Sequence, residues 1–123
     1  MIRILITEDD KDLLEILQLR LEVAGFCIET AVNGQEALDR IDQSAPDIAL
    51  LDIFMPVKNG IQVVQALRAD QKTKDLPVIF ISGSLEAVDE VKRNVQNLSV
   101  QGYITKPFDF KQLVSTIHQI LGR

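Results

Sequence analysis

Residues 48–53 read Ile-Ala-Leu-Leu-Asp-Ile, an apolar run interrupted only by Asp52. A strand with no polar residue at alternate positions is covered on both faces. Such strands occur almost only in parallel sheets sandwiched between helices. The flanks agree: Pro46-Asp47 supplies a turn before the run, and Met55 to Gly60 (MPVKNG) a loop after it. A carboxylate that closes a buried strand is costly unless something compensates it.

Working outward from this run, short apolar stretches rich in β-branched residues recur at 2–6, 27–31, 78–81 and 103–105. Longer amphipathic stretches separate them. Leu13, Leu14, Leu17 and Leu21 form a helical stripe ended by Gly25. Further helices are expected over 36–42, 61–69, 85–95 and 110–121. Asp109 is placed to cap the last of these, with Gln112 three residues on in a capping-box arrangement. Strict alternation of strand and helix implies parallel strands joined by right-handed crossovers. The expectation is an α/β, doubly wound, five-stranded sheet with five helices, occupying 1–123 as one domain. No internal repeat or low-complexity linker interrupts it.

Composition narrows the function classes. Eighteen acidic residues against 13 basic ones give a net charge of −5, with no Lys/Arg run and no tryptophan for base stacking. Direct nucleic-acid binding is therefore not expected. No apolar run approaches the roughly 18 residues that span a bilayer, and the opening MIRILITEDD has no signal-peptide pattern. Cys27 has no companion for a disulfide and reads as a buried strand thiol. A reducing cytoplasm is the natural setting.

In an open parallel sheet, ligands sit beyond the carboxyl ends of the strands. Strand one ends in Glu8 and Asp9, strand three in Asp52, strand four in Ser82, and strand five reaches Lys106. Three carboxylates on one rim repel each other, and a hard cation such as Mg²⁺ relieves that repulsion while keeping positions open for phosphate oxygens. A carboxylate on Asp52 is already deprotonated at neutral pH and can attack phosphorus without a separate base. Lys106 supplies a point positive charge for a phosphoryl oxygen and Ser82 a hydroxyl donor.

With these residues assembled, the chain resembles the receiver domain of two-component response regulators, the family of the bacterial chemotaxis receiver. The matching stretches are ILITEDD, LLDIFMPVKNG, VIFISGS and GYITKPFD, in the family's order and across the whole chain. The resemblance implies a flavodoxin-like strand order 2-1-3-4-5 and phosphorylation on Asp52. It implies Asp9 as a direct metal ligand, Glu8 acting through water, and the Phe54 backbone carbonyl completing the protein's share. Ser82 and Lys106 match the phosphoryl-contacting pair, Tyr103 the aromatic switch residue, and Lys106-Pro107 a cis bond. The implied partners are a histidine kinase or histidine phosphotransfer protein docking near the first helix. An output protein or domain would be engaged through the face of the fourth helix, fifth strand and fifth helix.

Simpler readings apply at some positions. Asp10 suits a first helical turn, where acids favour the dipole. His118 falls on the solvent face of the last helix. Three departures from the family pattern stand out. MPVKNG carries Lys58-Asn59 where Met-Asp is commonest before the glycine, and that glycine is kept as Gly60. The stretch before strand five is longer than in the chemotaxis receiver, the extra length falling in QNLSVQ (96–101). Phe54 and Ser84 flank the acceptor and offer an attacking water little, which predicts slow self-dephosphorylation. Among rivals, a haloacid-dehalogenase-type phosphatase needs a second Asp where Phe54 stands, and a flavin carrier needs a Ser/Thr/Gly loop where EDDKD stands. A degenerate receiver acting only as a docking module would not need all five pocket residues. Both a stand-alone receiver and a piece of a longer regulator or hybrid kinase fit this sequence.

Overall fold

Pairing of apolar strands through buried crossovers is what the computed structural model shows; it describes residues 1–83, 89, 92–93 and 98–123. The elements run β1 (Arg3–Thr7), α1 (Lys11–Val23), β2 (Cys27–Ala31), α2 (Gly34–Gln43), β3 (Ile48–Asp52), α3 (Gly60–Ala69), β4 (Val78–Ser82), β5 (Gly102–Thr105) and α4 (Phe110–Leu121). All four strand pairings are parallel, in the order β2-β1-β3-β4-β5. The helix expected over 85–95 lies outside the described residues.

The central run of the sequence is β3, and every one of its residues is buried. Alternation sends Ile48 and Leu50 to one face and Ala49 and Leu51 to the other. The first pair joins Ile4, Ile6, Leu17, Leu21, Leu113 and Ile117 beneath α1 and α4. The second joins Leu5, Ala37, Ile41, Val63, Val64 and Leu67 beneath α2 and α3. Each fully buried aliphatic side chain contributes about 1.5–3 kcal/mol relative to exposure, so both layers hold β3 at the centre.

Both Asn-Gly pairs of the chain, Asn33-Gly34 and Asn59-Gly60, start helices. Asn33 accepts the Glu36 N–H with its side chain and caps α2. Asn59 accepts the Gln62 N–H, while Gln62 Oε1 accepts the Asn59 N–H, a complete capping box on α3. The box expected at Asp109 and Gln112 is replaced by a single cap from Lys111 N to Asp109 Oδ1. Gly60 is needed for proximity: a Cβ there would lie 2.6 Å from the Asp52 carbonyl oxygen and 2.9 Å from the Phe80 ring.

Cys27 is exposed, contrary to the buried thiol expected. It opens β2, which is an edge strand of the sheet, so its side chain is not enclosed from both sides. Part of the lengthened stretch before β5 is pinned by Arg68. Its guanidinium donates to the carbonyls of Leu98 (2.7 Å) and Ser99 (2.9 Å), where Ser99 takes a φ of 54°. Among the described residues no helix is long and apolar enough to cross a membrane.

Candidate functional site

The pocket is built by strand ends. β1 delivers Glu8, whose backbone N–H continues the ladder to Ala31 O. The chain then turns into α1, capped by Asp10, whose side chain accepts the N–H groups of Asp12 and Leu13. Asp10 is thus engaged by the helix start. Glu8 and Asp52 are buried (2% and 7% exposed), whereas Asp9 is exposed. The carboxylates of Glu8, Asp9 and Asp52 bring one oxygen each within 4.8 Å of one another.

Lys106, one residue past β5, enters the same pocket across β4 and β3. Its Nζ lies 2.5 Å from Glu8 Oε1 and 3.2 Å from Asp52 Oδ2. The peptide bond from Lys106 to Pro107 is cis, as the resemblance implied. Burial is the largest influence on Glu8 and, with Asp52 beside it, pushes its carboxyl up to about 8 against the opposing pull of Lys106. For Lys106, desolvation acts to lower the ammonium's value. The Glu8 hydrogen bond and the Asp52 charge outweigh it, and the net shift is upward.

The loop after Asp52 folds back on it: Phe54 N–H donates to Asp52 Oδ1 at 3.0 Å. The Phe54 ring is 62% exposed, and Val57 beyond it is 72% exposed. Val57 has a φ of 68° and sits in a tight turn closed by Lys58 N–H to Pro56 O (2.8 Å). Positive φ is strained for a β-branched residue.

Ser82 is buried at the end of β4, next to the Asp52–Ile81 pairing. Tyr103 is half-buried three residues before Lys106, packed on Phe80 with ring centroids 6.0 Å apart. Ser84 lies outside the described residues. The structure therefore gathers Glu8, Asp9, Asp52 and Lys106 at one rim with Ser82 at its edge, and sets Tyr103 further down β5. His118 is exposed on α4, as its helical position indicated.

Two features escape sequence reasoning. One is the direct Lys106–Glu8 ion pair, since no periodicity pairs residues so distant in the chain. The other is Thr7, whose buried hydroxyl has no hydrogen-bond partner among the described residues. It stands directly before Glu8, where an alternating apolar pattern gives no warning.

The donor set of three carboxylates is hard and oxygen-only, which suits Mg²⁺-type rather than thiophilic metals. The acidic cluster fits a metal site. A family model for the response regulator receiver domain matches residues 4–118. The chain is 39% identical over 121 residues to the transcriptional regulatory protein CpxR of Escherichia coli strain K12, covering 98% of this chain and 50% of that protein. It is 32% identical over 123 residues to the DNA-binding dual master transcriptional regulator RpaA of Synechocystis, covering 98% and 49%. It therefore spans about half the length of both relatives. Among solved structures, the response regulator protein TrrA of Thermotoga maritima in complex with Mg²⁺-BeF is similar at a TM-score of 0.85 and 29% identity, covering 98% of this chain and 99% of that one. Family match, strand order and acidic rim agree, and the chain belongs to the response regulator receiver domain family of two-component phosphoacceptors.

Proposed function

We propose that Asp52 is the phosphoacceptor of a receiver unit spanning residues 1–123, which takes its phosphoryl group from a phosphohistidine. The observation that carries this is the convergence of the Glu8, Asp9 and Asp52 carboxylates beside the Lys106 ammonium. Asp52 alone of the three carboxylates closes the central strand, with Lys106 at hand for incoming negative charge.

In the transfer, an Asp52 carboxylate oxygen attacks phosphorus in line with the N–P bond of the donor. That bond breaks, its electron pair returns to the imidazole nitrogen, and an acyl-phosphate O–P bond forms. A carboxylate nucleophile needs no separate base. Asp9 and Asp52 would hold Mg²⁺ directly, with the Phe54 carbonyl as a further protein ligand and Glu8 through water. Bound there, the ion supplies charge neutralisation for the transferring group. Lys106 transfers its contact from Glu8 to a phosphoryl oxygen, and the Ser82 hydroxyl donates to another. The chain is not a turnover enzyme but a self-loading acceptor, and its acyl phosphate hydrolyses slowly.

The donor is a histidine kinase or histidine phosphotransfer protein in the cytoplasm. An apolar groove of about 440 Å³ beside Lys106, lined by Leu13, Ile16, Pro107, Phe108 and Phe110, supports docking along α1. Acquisition of a charge of roughly −1.5 to −2 draws Ser82 inward, and Tyr103 follows into the space released. The altered face, which includes β5 and α4, then engages an output protein or domain. That both curated relatives are transcriptional regulators supports such an output.

Asp52→Asn tests the assignment. The variant is expected to incorporate no phosphoryl label from acetyl phosphate or a histidine kinase with Mg²⁺ present. Incorporation at the wild-type rate overturns it.

A further inference from the structure

Tyr103 is the chain's single tyrosine, and no tryptophan accompanies it. Its place on β5 sets it opposite Phe80 on β4, and the two rings tilt at 52°. A second group addresses the same ring. The Lys92 ammonium stands 4.9 Å from the Tyr103 centroid, within cation–π range. Lys92 is exposed, and among the described residues no carboxylate ion-pairs with it. Among the described residues its charge is directed at the ring.

The two contacts differ in kind. Phe80 is buried in the layer beneath α2 and α3 and gives Tyr103 dispersion contacts that another apolar neighbour replaces readily. The Lys92 contact depends on the ring presenting its negative face to one cation. A ring that turns toward the Ser82 end of the sheet gives up that contact.

We propose that Lys92 is a positioning residue that holds the Tyr103 ring in its resting orientation, so that one surface charge sets how readily the receiver switches. This rests on the reading that Tyr103 moves when Asp52 is phosphorylated. An exposed cation–π contact biases an equilibrium by a factor of about 2–5, comparable to a modest effector and far short of the roughly 10⁴ needed for complete switching. Lys92 therefore tunes the threshold and does not act as the switch itself.

The experiment compares Lys92→Met, which keeps an apolar stem without the charge, with Lys92→Arg, which keeps a cation. Lys92→Gln repeats the neutralisation with a different side chain. The single tyrosine allows its ring resonances to be read without overlap, in the free protein and with Mg²⁺ and beryllofluoride. In Lys92→Met and Lys92→Gln the free-state resonances are expected to move toward their beryllofluoride-bound positions. Apparent beryllofluoride affinity is expected to tighten about two- to fivefold. Lys92→Arg is expected to overlay the wild type. The proposal is overturned if the neutral variants overlay the wild type in the free state, or if Lys92→Arg moves as far as Lys92→Met. A wild-type protein that ignores beryllofluoride counts against the phosphoacceptor reading. The free-state ring positions of the neutral variants still decide the role of Lys92.

Discussion

Lys106 and Glu8 form an ion pair with Nζ 2.5 Å from Oε1, although they are contributed by strands separated by β3 and β4. Glu8 is almost wholly buried and Lys106 partly so, and the pair stands at the mouth of the acidic pocket. Lys106 also reaches Asp52 at 3.2 Å, so one internal cation serves two buried acidic groups, of which Glu8 holds its proton up to about pH 8. A metal ion that enters this pocket competes with that ammonium.

The first prediction concerns pH. The Glu8 carboxyl is raised from its ordinary 4.5 to about 8, foremost by burial. A raised folded-state value stabilises the fold fully below pH 4.5, and that contribution is lost as pH rises through about 8. Metal binding requires the deprotonated carboxylate and releases the proton. Mg²⁺ affinity, measured calorimetrically in two buffers of different ionisation enthalpy, is therefore expected to climb between pH 6 and about 8, with proton release largest at the low end. In Glu8→Gln this slope flattens. A wild-type affinity independent of pH across that window contradicts the prediction.

Gly60 yields the second. A Cβ at 2.6 Å from the Asp52 carbonyl oxygen meets backbone, which does not yield as a flexible side chain does. Gly60→Ala should cost about 1–3 kcal/mol in urea unfolding, as overpacking does. Because the displaced atom belongs to Asp52, phosphoryl incorporation should fall in protein that is still folded. Normal stability with normal labelling counts against the close contact.

Val57 should behave in the opposite sense. Its φ of 68° is strained for a β-branched side chain, and the side chain is exposed with little packing to lose. Val57→Gly is expected to stabilise the protein by about 1 kcal/mol, the released strain outweighing the entropy of the added glycine. Chemical denaturation reads this directly, and a destabilised variant refutes it.

Phosphoryl lifetime is the subject of the fourth. The exposed Phe54 ring beside Asp52 offers no hydrogen bond to an attacking water. Phe54→Asn supplies an amide, and one net hydrogen bond of about 1 kcal/mol accelerates hydrolysis about fivefold. Loss of label from purified phosphoprotein measures this. Equal rates in variant and wild type sink it.

How much of this was legible in the chain depends on the range of the interaction concerned. The unbroken apolar run at 48–51 marked β3 as central, and the 3.6-residue stripe of Leu14, Leu17 and Leu21 marked α1. Both are local consequences of backbone periodicity. Alternation of the two types determined the parallel sheet, and the sheet in turn determined that Glu8, Asp9, Asp52, Ser82 and Lys106 end strands on one rim. Tertiary structure alone decided what those residues do to one another. Lys106 and Glu8 meet because both side chains reach over the ends of β3 and β4, the two strands that lie between theirs. Gly60 is required because α3 begins against the Asp52 carbonyl, and its φ plays no part. Cys27 is exposed because β2 is an edge strand, which its own sequence does not reveal. Lys92 meets the Tyr103 ring although the two stand apart in sequence, a contact that no local pattern marks. Periodicity records which face of an element is buried; the identity of the neighbour across that face is set only when distant elements close on each other.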